Sequence, residues 1–266
     1  MIIDSHAHVL IPTENQISLM EEAGVEKTIL FSTTPHTERA VKFSEFEQEL
    51  NALNSILSGS ISGNERLRRM ELITDELCSV INAYPDMFLG FGNVPLFLSN
   101  ENTCEWIQKK IIDNNLIGIG EISIPAGHTD LLENILQSLM DTKKMPVWIH
   151  TFHPLTLADI KNLAVLAKRY NNIPLIFGHM GGYNWLDTIK LAKEQKNIYL
   201  DLSAVYTTFA PKWAISEVPD RTLFSSDAPY GNPLLSRKMV ELICPDETIC
   251  EKVLGGNILK LLEEYK

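Results

Sequence analysis

Eight short β-forming runs recur along the 266-residue chain, and stretches with helical spacing of apolar residues separate them. The runs are MIIDSHA (1–7), VEKTILFST (25–33), MFLGFGNVP (87–95), NLIGIGEIS (115–123), MPVWIHT (145–151), IPLIFGHMG (173–181), NIYLDLS (197–203) and TLFSSDA (222–228). Between them, segments such as LLENILQSLMDTKK and LADIKNLAVLAKRY place apolar residues every three to four positions, the period of an amphipathic helix. Several of the runs are almost continuously apolar, as a strand must be when both faces of a parallel sheet are covered. Eight strands alternating with helices over about 250 residues predict an α/β chain folded as a single (β/α)8 barrel over 1–266, with its active site at the C-terminal strand ends. A doubly wound sheet would carry a Gly-rich phosphate loop after its first strand. Here that strand ends in histidines.

One connection is longer than a βα loop usually is. Residues 34–64, TPHTERAVKFSEFEQELNALNSILSGSISGN, are rich in Ser, Asn, Glu and Gly and follow the second strand. They read as an insertion with a short helix near 44–57, placed to lie over the barrel mouth as a lid, or else to decorate the surface.

Metal-capable side chains fall at the C-terminal ends of most strands. His6 and His8 end the first, Glu121 the fourth, His150 the fifth and His179 the sixth, and Asp227 follows the eighth. Alternation along a strand puts Asp4, His6 and His8 on one face. The steps from Glu121 to His150 and from His150 to His179 are both 29 residues, and the 48 residues from His179 to Asp227 leave room for the strand at 197–203. Each residue thus holds nearly the same place in its βα unit, and equivalent places converge on the barrel axis. Alone, His150 would more often be a hydrogen-bonded core histidine, and Asp227 before Ala-Pro a turn cap. Together they carry desolvation and repulsion costs that a cation offsets. The expected ligands are therefore His6, His8, Glu121, His150, His179 and Asp227. A glutamate at a strand end can equally be salt-bridged structure.

These residues resemble the amidohydrolase superfamily, and within it the amidohydrolase-related branch of small metal-dependent barrels. The likeness runs through DSHAH, GIGEI, VWIHT, FGHMGG and FSSDAPYG to the closing VLGGNILKLL. It implies a ligand set of His6, His8, His150, His179 and Asp227. GIGEI is similar to the fourth strand of TatD-like deoxyribonucleases, which implies that Glu121 bridges two ions, whereas decarboxylases of the related branch hold one.

Imidazole and carboxylate donors without thiolate suit divalent ions, with zinc favoured and manganese, iron or nickel also suited. A divalent ion makes hydroxide available near neutral pH and polarises a carbonyl or phosphoryl oxygen. Asp227 is then the expected general acid/base. The expected function is metal-dependent hydrolysis of an amide, lactone, ester or phosphoester of a small molecule. The alternative is non-oxidative decarboxylation or hydration of a carboxylated one, by the same metal set. His36 and Arg39 in the long connection and His153 after the fifth strand are expected to reach the mouth and touch substrate. A non-catalytic barrel with a structural metal is the third reading, disfavoured because closed zinc sites use four ligands.

Composition narrows the partners. With 34 acidic and 23 basic residues the net charge is -11, which repels phosphate backbones and anionic membranes, so nucleic acid is a poor partner. Cys78, Cys104, Cys244 and Cys250 form no C-x-x-C pair, which fits a reducing cytoplasm. No apolar run reaches the ~20 residues of a membrane helix, and no secretory signal pattern opens the chain. Solvent-facing outer helices offer a surface for a homodimer.

Overall fold

The computed structural model describes residues 1–33, 36–57 and 63–265. Its elements in chain order are β1 (Ile3–His8), α1 (Thr13–Ala23), β2 (Lys27–Phe31), α2 (Phe43–Leu57), α3 (Gly63–Ala83), β3 (Phe88–Gly92), α4 (Asn100–Trp106), β4 (Gly118–Ile122), α5 (Leu132–Asp141), β5 (Val147–His150), α6 (Leu157–Arg169), β6 (Leu175–Gly178), α7 (Trp185–Glu194), β7 (Ile198–Asp201), α8 (Phe209–Glu217), β8 (Thr222–Leu223), α9 (Pro233–Ile243), α10 (Glu247–Glu251) and α11 (Asn257–Glu264). All neighbouring strands pair in parallel in the order β1 to β8. Backbone bonds from Ser5 to Phe224 (3.0 Å), from Asp227 to His6 (2.7 Å) and from His8 to Ala228 (2.7 Å) join the last strand to the first. The sheet is the expected (β/α)8 barrel.

Period-two alternation sorts the strand residues into two apolar layers. On β2, Ile29 and Phe31 point inward to meet Phe91, Trp148, Ile176 and Leu223, while Leu30 points outward to the layer beneath the helices. Ile258, Leu261 and Leu262 of α11 join the inner cluster and close the end of the barrel where the strands begin. Asn257 fixes that helix, donating to the carbonyls of Pro219 (2.7 Å) and Thr222 (2.8 Å). Gly255 precedes it because any side chain there would meet the Met1 carbonyl at 2.3 Å. The Gly-Gly-Asn string is thus a packing device at the bottom of the barrel, opposite the site.

The strands are shorter than their apolar runs. Only Thr222 and Leu223 of the 222–228 run pair as β8, since Ser225 to Asp227 turn inward to close the barrel. Asp4 does not share the metal-facing side with His6 and His8. The β1–β2 register shifts between Asp4 and Ala7, and Asp4 instead accepts from the backbone N–H and hydroxyl of Ser226.

In the long connection, the expected helix is present as α2. Residues 34, 35 and 58–62 of the expected insertion lie outside the described residues. No described helix is long and apolar enough to cross a membrane.

Candidate metal centre

The barrel delivers His6, His8, Glu121, His150, His179 and Asp227 to one point at its C-terminal mouth. His6 and His8 come from β1, Glu121 from β4 and His150 from the end of β5. The other two lie just beyond a strand and adopt left-handed backbone, His179 at φ 59° and Asp227 at φ 60°. Such conformations cost non-glycine residues on the order of 1–2 kcal/mol each and persist only where surrounding structure enforces them. Asp227 is held by its N–H to the His6 carbonyl, and His179 by its N–H to Asp201 Oδ2 (3.3 Å). Beyond His179, Gly182 (φ 54°) turns the chain into α7, and a Cβ there would lie 1.9 Å from the Phe152 ring. Gly120 leaves a similar gap beside Glu121, at φ 150° with Trp148 Cβ 2.6 Å from where its own Cβ would stand.

Hydrogen bonds at the back of each ring assign which nitrogen faces the centre. His6 donates from Nδ1 to Asp201 Oδ2 (2.8 Å) and His8 from Nδ1 to the Ser32 carbonyl (3.3 Å). His179 Nδ1 donates to Ser203 Oγ (2.8 Å), whose own hydrogen goes to Asp201 Oδ2 (2.9 Å). His150 is reversed, with Nε2 donating to the His153 carbonyl (3.0 Å) and Nδ1 facing inward. Four imidazole lone pairs therefore point at two carboxylates. Glu121 Oε1 is 3.1 Å from both His150 Nδ1 and His179 Nε2, which are themselves 3.2 Å apart. Glu121 Oε2 faces the other pair, 3.8 Å from His6 Nε2 and 3.9 Å from His8 Nε2. Asp227 Oδ1 lies 3.3 Å from His8 Nε2 and 3.7 Å from His6 Nε2.

This donor set fits a divalent cation. Nε2 of the fully buried His6 has no hydrogen-bond partner, and lone pairs at 3.1–3.2 Å from one another repel unless a positive charge lies between them. Protons can play that part. Burial works against charge on His6, yet Glu121 and Asp201 outweigh it and raise its pKa to about 10. For His179, burial is outweighed by Glu121 and Asp227, and the pKa rises to about 9. Burial likewise opposes ionisation of Glu121, but His150 and His6 hold it well below the usual range. His6, His8 and Asp227 form one cluster of donor atoms within 4.8 Å of each other, and Glu121, His150 and His179 form another.

Behind the rings stands Asp201, which sequence reasoning missed. It is fully buried at the end of β7 and receives His6 Nδ1, Trp148 Nε1 (3.2 Å), Ser203 N and Ser203 Oγ. Burial favours its neutral form, but His6 holds its pKa down at about 2. The available signal was its position, since Asp201 follows the apolar residues of the seventh run as the expected ligands follow those of other runs.

Above the centre lies a cavity of about 350 Å³. Of the residues expected to touch substrate, His153 lines it. His36 and Arg39 are not among its lining residues; His36 is bound between Glu38 and Glu76, and Arg39 is exposed. The arginines that do line it are Arg66 and Arg69 on α3, outside the 34–64 segment. Arg66 stacks over the Phe97 ring at 5.8 Å and is paired with no carboxylate among the described residues. Burial lowers its pKa. Arg69 lies 3.4 Å from the exposed Glu65. Leu53, Asn54 and Ile56 of α2 complete the roof.

The sequence matches the amidohydrolase family profile over residues 3–263. Among solved structures it is similar to 5-carboxyvanillate decarboxylase from Sphingomonas paucimobilis, with a TM-score of 0.73 at 13% identity over 98% of both chains. A dihydroxybenzoic acid decarboxylase from Polaromonas, holding manganese and 2-nitroresorcinol, matches at 0.66 and 16% identity over 100% of this chain and 97% of that one. A protein named as an amidohydrolase matches at 0.70 and 18% identity over 99% and 100%. At these identities the likeness is one of fold. No curated protein matches the sequence. The chain belongs to the amidohydrolase family and is a metal-dependent enzyme of that family.

Proposed function

We propose that the enzyme hydrolyses a small molecule bearing a carboxylate, using a centre of two divalent ions, with zinc favoured by the imidazole-rich donor set. The observation that carries this reading is the orientation of Glu121, whose Oε1 faces His150 and His179 while Oε2 faces His6 and His8. A carboxylate so placed can serve two ions, with His6, His8 and Asp227 on one side and His150 and His179 on the other. When bound, divalent ions lower the pKa of water toward 7 and polarise the bond to be cleaved. Asp227 faces the cavity and takes the proton of the attacking water, then returns it to the leaving group. Asn93 holds the end of β4 in place by donating to the Glu121 carbonyl (2.9 Å).

The substrate class follows from the roof. Arg66 is a half-buried guanidinium paired with no carboxylate among the described residues, and it lines the cavity together with Arg69 and with apolar residues such as Met70, Ile73 and Phe152. A carboxylate offers it bidentate hydrogen bonds. With α2 over the opening, the inserted segment acts as the lid of this cavity and His153 as a contact to substrate.

Decarboxylation is the second reading, supported by the same arginine in the cavity and by the decarboxylases that share the fold. A screen of esters, lactones, amides and phosphoesters, each with and without a carboxylate, alongside aromatic carboxylic acids assayed for released carbon dioxide, separates the two. Turnover confined to carbon dioxide release would overturn hydrolysis. For a carboxylated substrate, Arg66→Met should raise KM about tenfold or more with kcat little changed, as loss of uniform binding does.

A further inference from the structure

Three consecutive residues tie the base of the lid to the barrel. His36 lies between two carboxylates, with Nδ1 2.9 Å from Glu38 Oε1 and Nε2 3.0 Å from Glu76 Oε1. Ionised carboxylates only accept, so both ring nitrogens carry hydrogen and the ring is an imidazolium. Thr37 shares a hydrogen bond with the Tyr230 hydroxyl, three residues beyond Asp227. Glu38 Oε1 also accepts from the Ile11 N–H (3.2 Å) in the connection after β1. One short turn thus joins α3 to the loops that follow β1 and β8.

Glu76 stands where α3 changes its surroundings. Past it, Leu77 and Val80 are buried between barrel and helices, and Ile81 packs against Gly90 of β3. Before it, Ile73, Met70, Arg69 and Arg66 face the cavity. At 1.5 Å per residue Arg66 is about 15 Å along the helix from Glu76, so a pivot of about 10° there moves Arg66 by roughly 2–3 Å. That shift exceeds what a hydrogen bond tolerates.

We propose that His36 is a positioning residue: clasped as an imidazolium by Glu38 and Glu76, it sets the angle of the α3 arm and thereby places Arg66 and Arg69 over the metal centre. The proposal rests on the reading of Arg66 as the carboxylate-binding group. A neutral side chain cannot replace the imidazolium, because the Glu38 side chain is only 10% exposed and needs a cation beside it.

The test uses the metal-loaded 266-residue chain and benzoate as the probe. His36→Gln should speed amide exchange over residues 65–73 about tenfold and weaken benzoate binding about fivefold, with exchange over 77–83 and metal content unchanged. His36→Arg, a planar cation able to face both carboxylates, should bring both readouts back to within about threefold of wild type. If the glutamine variant does not fold, Glu76→Gln breaks the same contact from α3. Wild-type exchange over 65–73 in the neutral variants, or an arginine variant no better than glutamine, overturns the proposal. Arg66→Met separates the two readings: if it binds benzoate as tightly as wild type, the carboxylate reading fails while the exchange result still decides the latch.

Discussion

His6 Nδ1 lies 2.8 Å from Oδ2 of Asp201, a fully buried carboxylate 195 residues further along the chain. That bond fixes the tautomer, leaving the unpartnered Nε2 of His6 to face the centre. Asp201→Asn keeps the size but can present an amide hydrogen to Nδ1, which moves the ring hydrogen to the ligand nitrogen. Metal affinity, measured by competition with a chelator, should fall by about 10- to 100-fold. Unchanged affinity would show that the rings orient themselves without Asp201.

Asp227 is the donor that can also carry a proton. Asparagine preserves its shape and much of its hydrogen bonding but cannot accept a proton at neutral pH. Asp227→Asn should keep at least part of its metal and lose turnover by about 10²-fold or more. Near wild-type turnover with the same pH profile would move the base to another group.

The His36 clasp has a pH signature. Its hydrogen bonds to Glu38 and Glu76 raise the pKa from the ordinary 6.5 to about 9 against burial. A raised pKa stabilises the fold fully below 6.5, progressively less between 6.5 and 9, and not at all above that range. Burial opposes ionisation of Glu38, but its hydrogen bond to His36 holds it below the ordinary carboxylate range, and Tyr230, reached through Thr37, titrates only at about 12. The Tm difference between wild type and His36→Gln should therefore be largest near pH 6 and shrink toward pH 9.5. A difference independent of pH would mean that the ring is not charged.

The barrel and the six converging donors were legible because both recur: strand-like runs take turns with helical stretches eight times, and the 29-residue steps put Glu121, His150 and His179 in register. What is not periodic was hidden. Asp201 is one of 34 acidic residues, and nothing local marks its partner on β1. Asp4 lost its place beside His6 to a register shift that a perfect alternation does not contain. Arg66 and Arg69 lie in NERLRRMEL, which reads as an ordinary charged helix, and which of its faces meets the cavity depends on the angle of α3. Arg39 reads as nearer the mouth in sequence, yet the short turn that carries it leaves it exposed.

On the proposed reading the centre takes two divalent ions joined by Glu121. Elemental analysis of the purified wild-type chain beside Glu121→Gln, with ions counted per chain after removal of loosely bound metal, decides this. About two equivalents are expected in the wild type and about one in the variant, since an amide is a poor bridge between two cations. A wild-type protein without divalent metal, or equal stoichiometry in the two proteins, would contradict it.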